Sequence, residues 1–407
     1  MSLLFLPLQK NNENDTEIMH RIALISLVGL LLPDLYIYLI YIRRYTRHVG
    51  IRLLWWLPTL LLIASFVYLM FLGGPNHMAH NPHAIGHMAI AILLFTIPKV
   101  LFMLITLPGA ILHVLCRRIP RAPFTFAATL LGIITFGCIL YGAAEGVSHF
   151  QVKPVEINLS KRLPDGFDGF RIAQISDLHL GSWSNKAEKI EELVGIINQQ
   201  KPDIILFTGD LVNHRADELA PFMDTLSKLE APYGVYSILG NHDYGSYYQW
   251  ASRQEATDNL NSLINMQKEM GWKMLNNEHV ILQRQGDSIA LIGVENDGEP
   301  PFSQHAELEK ATKGTENLFS ILMSHNPTHW RREVLPKTDI DLMLSGHTHA
   351  MQTILFGHSL SELMYPEWRG LYTEGNQALY VNIGIGYVGM PFRFGAWPEI
   401  TLQTLKK

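Results

Sequence analysis

Five short segments of this 407-residue sequence set oxygen- and nitrogen-donor side chains directly after apolar runs. Ile172–Ser176 runs into Asp177-Leu178-His179, Ile204–Thr208 into Gly209-Asp210, and Val235–Leu239 into Gly240-Asn241-His242-Asp243. Phe319–Ser324 runs into His325, and Leu342–Ser345 into Gly346-His347-Thr348-His349. A single Asp-x-His is common on any protein surface, but five donor clusters in order, each after an apolar run, do not arise by chance. In extended chain, Asp177 and His179 share a face, and His347 and His349 repeat that spacing. Mixed carboxylate, imidazole and amide donors suit Mn, Fe or Zn better than Ca²⁺ or a sulfur-preferring ion. Gly209, Gly240 and Gly346 allow tight backbone turns beside the donors. A site for two divalent transition-metal ions is expected.

The elements that must position these donors follow from the apolar pattern. From Gln151 onward, strand-length runs occupy Phe170–Ile175, Asp203–Phe207, Gly234–Leu239, Ser288–Ile292, Leu318–Met323, Ile340–Leu344, Ala378–Ile383 and Glu399–Leu405. Helical segments lie between them. Asn185 with Glu188 reads as a capping box, followed by Ile190, Leu193, Val194 and Ile197 at helical spacing. Residues 217–229 and 255–270 read as further helices. In open α/β sheets the carboxyl ends of the strands form the binding crevice, so the five clusters can converge there.

The first third of the chain is different. Four apolar blocks, Ile22–Ile42, Leu53–Leu72, Met88–Leu115 and Phe124–Val147, have the roughly 20-residue length that crosses a hydrocarbon core. A transmembrane domain over residues 1–148 and a catalytic domain over 149–407 are expected, with a short linker from about Ser148 to Asp168. A cleavable signal peptide is not expected, since the first block starts late and no small-residue cleavage site follows. Arg43, Arg44, Arg47 and Arg52 mark the link after the first block, and Arg117, Arg118 and Arg121 the link after the third. The link from Gly73 to His87 has neither Lys nor Arg. Basic links stay in the cytoplasm, so the catalytic domain is expected outside, on a multi-pass inner-membrane protein. Asp34 and Lys99 lie inside blocks at similar depth, where an ion pair and proline-assisted snorkelling are alternative readings. His77, His80, His83 and His87 read as a polar external loop, with cation binding as the alternative. The net charge of −5 and the lack of a basic, aromatic-interleaved patch exclude nucleic acid as an expected partner.

The series Asp177-x-His179, Gly209-Asp210, Gly240-Asn241-His242-Asp243, His325 and Gly346-His347-Thr348-His349 resembles the calcineurin-like metallophosphoesterase superfamily. Within it, the chain resembles the branch with N-terminal membrane helices, which includes bacterial membrane phosphodiesterases. The resemblance runs from about Phe170 to the C-terminus and implies a four-layer α/β/β/α sandwich with the metals at its edge. It also implies that Asp177, His179 and His349 hold one metal, that Asn241, His325 and His347 hold the other, and that Asp210 bridges both. His242 becomes a non-ligand histidine near the leaving group, with Asp243 orienting its ring. The implied reaction is hydrolysis of a phosphate ester by a hydroxide held between the metals. Related sequences often follow the last histidine with two glycines and a glutamine; here Ala350-Met351-Gln352 stands instead.

The substrate is less legible. Tyr244, Tyr247, Tyr248, Trp250, Tyr365, Trp368, Phe392, Phe394 and Trp397 suggest an aromatic rim at the lipid interface, hence a phospholipid or lipid-linked phosphate. Loop packing is the alternative reading of the same residues. Arg393 is a candidate phosphate contact. A binding-only receptor or transporter, and a decayed enzyme, are the readings from other classes; the intact donor set stands against both.

Overall fold

The computed structural model describes residues 28–68, 81–159, 162–184, 186–300 and 302–407. Its described residues separate into two compact units, one of Gly146–Val388 with Arg393–Lys407, the other of those from 28 to Glu145 with Gly389–Phe392.

The N-terminal unit is helical: α1 (28–45, with a π turn at Tyr38–Ile42), α2 (Val49–Val67), α3 (Pro82–Leu115) and α4 (Ala122–Ala144). Among the described residues, Val49–Val67, His83–Leu115 and Ala122–Ala144 are long and apolar enough to cross a membrane. The expected first block, 22–42, is described only from residue 28. Helix α3 starts six residues before the apolar block does, because a proline at the first helical position is pre-organised for the turn. His83 and His87 therefore belong to the helix and not to an external loop, while His77 and His80 lie outside the described residues. The two charges inside the blocks are paired. Lys99 Nζ lies 2.6 Å from Asp34 Oδ1, Thr59 donates to Asp34 Oδ2, and the Trp55 ring lies 5.2 Å from the ammonium. A fully buried carboxylate in an apolar unit demands such compensation.

The larger unit contains two six-stranded sheets. The first has the order β1 (Gln151–Asn158), β12 (Glu399–Lys406), β2 (Arg171–Ile175), β3 (Ile204–Phe207), β4 (Val235–Ser237), β5 (Lys273–Met274). The second has the order β10 (Gly370–Glu374), β11 (Gln377–Val381), β9 (Leu342–Ser345), β8 (Phe319–Met323), β7 (Asp287–Gly293), β6 (Glu278–Arg284). Strands β2, β3 and β4 run parallel, as do β7, β8, β9 and β11. Parallel strands covered on both faces read as continuous apolar runs, and these do.

Alternation along each strand builds the layers. Ile172, Ile204, Leu206, Ile289, Leu291, Ile321, Leu342 and Leu344 meet in one buried cluster shared by the two sheets. Their neighbours Ala173, Ile175, Ile205 and Phe207 turn the other way, onto helix α5 (Ala187–Gln199) through Ile190, Leu193 and Ile197. On the opposite sheet, Ala290, Ile292, Leu322 and Met343 pack on Trp330 and Val334. Residues thus form helix, sheet, sheet and helix layers, with a period of two deciding the layer each side chain enters.

Some local expectations change. The expected linker contains β1, which pairs in parallel with β12. Residues 217–229 form two short 3₁₀ turns and the single α turn Met223–Leu226 instead of one helix. Asn185, the expected capping residue of α5, lies outside the described residues. Helix α6 (Arg253–Glu269) is capped by Ser252, whose side chain accepts from the Glu255 amide.

Candidate metal centre

Each donor cluster stands where its strand ends. β2 delivers Asp177 and His179, β3 delivers Asp210, β4 delivers Asn241, His242 and Asp243, β8 delivers His325, and β9 delivers His347 and His349. The clusters come from both sheets and meet at the carboxyl ends of parallel strands. The backbone turns sharply to aim them. Asp177, His179, Asp210, His347 and His349 all have φ between 48° and 73°, in the left-handed region. That conformation costs on the order of 1–3 kcal/mol per non-glycine residue, and strain of this kind concentrates at functional sites. The two glycines beside Asp210 and His347 have no alternative: a Cβ on Gly240 would collide with the Asp210 carboxylate, and one on Gly346 with Ser176 Oγ and the Asp177 carboxylate.

The donor atoms fall into linked groups. Asp177, His179 and His349 place ligand atoms within 4.8 Å of one another, as do Asp210, His325 and His347, and also His179, Asp210 and His242. His349 Nε2 lies 3.2 Å from Asp177 Oδ1 and 3.1 Å from His179 Nε2. His347 Nδ1 lies 3.3 Å from His325 Nε2. A single oxygen, Asp210 Oδ2, approaches His325 Nε2 at 3.2 Å and His179 Nε2 at 3.6 Å, joining the two halves. Asn241 is buried beside them.

The electrostatics match this convergence. Burial raises Asp177 and Asp210, but the surrounding histidines outweigh it and both carboxyls sit below their ordinary range. Burial opposes charge on His325, yet Asp210 lifts it to about 9. Burial and then the charge on His325 push His347 down to about 3. His179 and His242 are lowered as well, burial being the foremost cause. The centre therefore sets ionised carboxylates against a His325 ring that favours its charged form, while His179, His242 and His347 favour the neutral one.

These residues fit divalent cations. Asn241 Nδ2 donates to Tyr247 Oη at 2.9 Å, which leaves the buried Oδ1 without a protein partner. A buried amide oxygen of that kind is costly unless it meets a cation or a donor. Ring nitrogens face each other at 3.1 and 3.3 Å, a spacing satisfied by a shared proton or by a cation held between them. His325 Nδ1 is held by the Thr208 carbonyl at 2.8 Å, which directs Nε2 into the centre.

Two expected roles are corrected. Asp243 does not touch the His242 ring. Its carboxylate accepts from the backbone amides of Asp210, Leu211, Val212 and Gly240, tying together the loops that carry Asp210 and Asn241. The His242 ring is held by the Asn213 carbonyl, 2.7 Å from Nδ1, and stacked against Tyr247 with centroids 4.4 Å apart. Arg393 does not face a substrate. It is fully buried and donates to the carbonyls of Ile383, Gly386 and Ala396 and to His349 Nδ1 at 3.1 Å. The aromatic rim also turns inward in part, since Tyr365 and Trp368 are buried, and Tyr365 Oη lies 3.0 Å from His347 Nε2.

Sequence reasoning missed two neighbours of the donors, Asn213 and Phe302, and gave two others, Tyr247 and Tyr365, no role beside them. Asn213 acts through its backbone, which no motif signals. Phe302 stands edge-on to His347 at 4.6 Å from a segment without any pattern. Tyr247 and Tyr365 were visible only as members of aromatic-rich stretches.

Comparison with known proteins agrees with this geometry. The family profile described as "Calcineurin-like phosphoesterase" matches residues 170–351, and that described as "Probable Calcineurin-like phosphoesterase, transmembrane domain" matches residues 20–147. The chain is similar to a "Transmembrane protein with metallophosphoesterase domain" of Danio rerio, 32% identical over 70% of this chain and 64% of that one. It thus spans just under two thirds of that relative. It is also similar to the uncharacterized metallophosphoesterase YkuE of Bacillus subtilis, 33% identical over 69% of this chain and 94% of that one. Among solved structures, a dimetal phosphatase from Danio rerio superposes with a TM-score of 0.33 at 14% identity, covering 54% of this chain and 88% of that one, an overlap too slight to bear on function. With a 33% identical relative covered almost end to end, the chain belongs to the calcineurin-like metallophosphoesterases, and to the branch that carries an N-terminal transmembrane domain.

Proposed function

We propose that this protein hydrolyses a phosphodiester or a lipid-linked phosphate at the outer face of the cell's inner membrane, using two transition-metal ions. The observation that carries this reading is the position of Asp210, whose Oδ2 reaches toward histidines of both donor groups. In this reading Asp177, His179 and His349 would hold one ion, Asn241, His325 and His347 would hold the other, and Asp210 would serve both. When bound, the ions would supply an activated water at neutral pH and offset charge on the phosphoryl oxygens.

The chain's own residues do the rest. Thr208 and Arg393 fix the rings of His325 and His349. The Asn213 carbonyl accepts a hydrogen bond from the Nδ1–H of His242, so Nε2 is the nitrogen left to exchange a proton with the leaving oxygen. Burial lowers His242 and so favours the neutral ring in the free site, and to act as the acid the ring would first take up a proton from solvent. Asp243 serves by holding four loop amides in register. The outer location rests on the basic links, and the lipid-linked substrate on the spans that keep the site beside a bilayer.

Metal analysis of the full-length protein, purified with Mn²⁺, tests the reading. Close to two ions per chain are expected, with faster turnover of bis-p-nitrophenyl phosphate than of p-nitrophenyl phosphate. Asp210→Asn should lose most of the second ion together with activity. Near-zero metal with activity surviving EDTA would sink the dimetal reading.

A further inference from the structure

Outside the membrane helices, large apolar side chains left exposed are few among the described residues, and they are concentrated. Leu355, Phe356, Leu360, Leu363 and Met364 lie within ten positions of one another; elsewhere among the described residues of the catalytic unit only Ile281 and Leu371 are comparably exposed. A soluble face would not be expected to collect its apolar residues on one segment, and such patches mark contact surfaces.

The local geometry makes the segment a projecting one. Leu355 and His358 exchange backbone hydrogen bonds at 2.9 and 3.0 Å, closing a two-residue hairpin whose tip is Phe356-Gly357. Both tip residues are left-handed, with φ of 53° and 89°. Phe in that conformation is unusual, since the two-residue hairpin tip favours Asn, Asp or Gly. The strain has no packing return inside the protein, because the Phe356 ring is fully exposed. Next, Ser359 and Glu362 form a capping box on the 3₁₀ turn Leu360–Leu363. Residues three apart eclipse in a 3₁₀ helix, so Leu360 (69% exposed) and Leu363 (83% exposed) stand on one side.

The occupant is constrained by chain and charge. Six residues separate Ala144, the end of α4, from Gln151, the start of β1, a reach of roughly 20 Å when extended. The catalytic unit is therefore always tethered beside a bilayer, which is the apolar phase at the highest effective concentration. Arg369 Nη2 donates to Gly357 O at 3.1 Å and its guanidinium lies 4.5 Å from the Trp368 ring. A cation at the base of an apolar tip suits a lipid surface, where phosphates lie above the acyl chains.

We propose that residues 355–364 form a membrane-docking prong that inserts its apolar tip into the lipid surface. The prong is tied to the metal centre. Ser359 Oγ donates to Ala350 O at 2.6 Å, Thr348 Oγ1 to Trp368 O at 2.7 Å, and Tyr365 Oη lies 3.0 Å from His347 Nε2. Docking would thus set the height and tilt of His347 and His349 over the lipid. The proposal rests on the membrane attachment of the chain and is independent of the hydrolytic reading.

The test uses the full-length protein with Cys116→Ser and Cys138→Ser, reconstituted in vesicles of phosphatidylcholine and phosphatidylglycerol. An environment-sensitive fluorophore is attached at Phe356→Cys, at Leu363→Cys, or at Asp258→Cys on exposed α6 as a control. The expected result is blue-shifted emission at the two prong positions, lost when nitroxide-labelled lipids are added, with water-like emission at the control. Water-like emission at both prong positions would overturn the proposal. So would a blue shift that nitroxide lipids leave untouched, since protein and not lipid would then cover the segment. None of these readouts depends on catalysis, so failure here leaves the metal reading standing, and failure of that reading leaves the prong standing.

Discussion

At the scale of single residues, His242 is distinguished from the other histidines by its partners. The Asn213 carbonyl occupies Nδ1 and the Tyr247 ring covers one face, so its orientation is set without a cation. Asn241, whose amide shares Tyr247, stands in the opposite situation, with a buried oxygen that finds no protein donor. His242→Ala should therefore keep both metals and lose on the order of 10²–10⁴ in kcat, the usual span for a proton-transfer group. Metal analysis beside single-turnover rates distinguishes the cases; loss of rate only in step with loss of metal would make His242 a ligand. The donors themselves were legible because chemistry demands those side chains at strand ends. Their supports were not. Asp243 follows His242 in the chain and is an obvious partner on paper, yet the turn sends its carboxylate to four amides. Arg393 looked like a phosphate contact because arginines often are, whereas its buried guanidinium is spent on carbonyls and on His349.

At the scale of elements, the turn after β9 carries a conflict between sequence and backbone. Ala350 and Met351 sit at φ 49°, ψ 33° and φ 44°, ψ 33°, inside the turn that begins with His349. Left-handed backbone costs roughly 1–2 kcal/mol for an L-residue with a Cβ. Glycine removes that cost but gains about 0.4–1 kcal/mol of unfolded-state entropy. Ala350→Gly and Met351→Gly should each stabilise the catalytic unit by up to about 1 kcal/mol, a rise of about 2–4 °C in Tm for a domain of this size. Differential scanning calorimetry checks this, and a fall in Tm for both variants would show that their side chains contribute more than the strain costs. The same scale shows where the apolar pattern stopped being readable. The eight strands it marked are β2, β3, β4, β7, β8, β9, β11 and β12; the four it did not mark, β1, β5, β6 and β10, are the edges of the two sheets. An inner strand is buried on both faces and reads as an apolar run, as Ile204–Phe207 does. An edge strand is half-solvated and polar, as the exposures along β10 and β6 show. The helix expected over 217–229 failed for another reason: Pro221 breaks the amide ladder, and the segment settles into 3₁₀ turns.

For the molecule as a whole, the outstanding quantity is the side of the membrane on which the metal centre lies. Arg43, Arg44 and Arg47 stand at or just beyond the end of α1, and Arg52 lies in the first turn of α2 with its guanidinium on the carbonyls of Thr46 and Arg43. Arg117 and Arg118 lie between α3 and α4, and Arg121 immediately precedes α4. If each helix crosses the bilayer once, these two links share a side, and whatever follows α4 lies opposite. Short links rich in arginine stay in the cytoplasm. A phosphatase reporter fused after Lys407 in a bacterial host should thus be active in the periplasm, while a fluorescent protein that folds only in the cytosol should stay dark in the same position. Replacing Arg117, Arg118 and Arg121 with Gln should weaken that asymmetry, and a mixed reporter signal would follow from the lost charge bias. The converse result, a dark phosphatase and a bright fluorophore in the unaltered chain, would place the metal centre in the cytosol. The substrate would then be a phosphate ester of the inner leaflet or of the cytosol, and the lipid surface beneath the prong would be the inner leaflet.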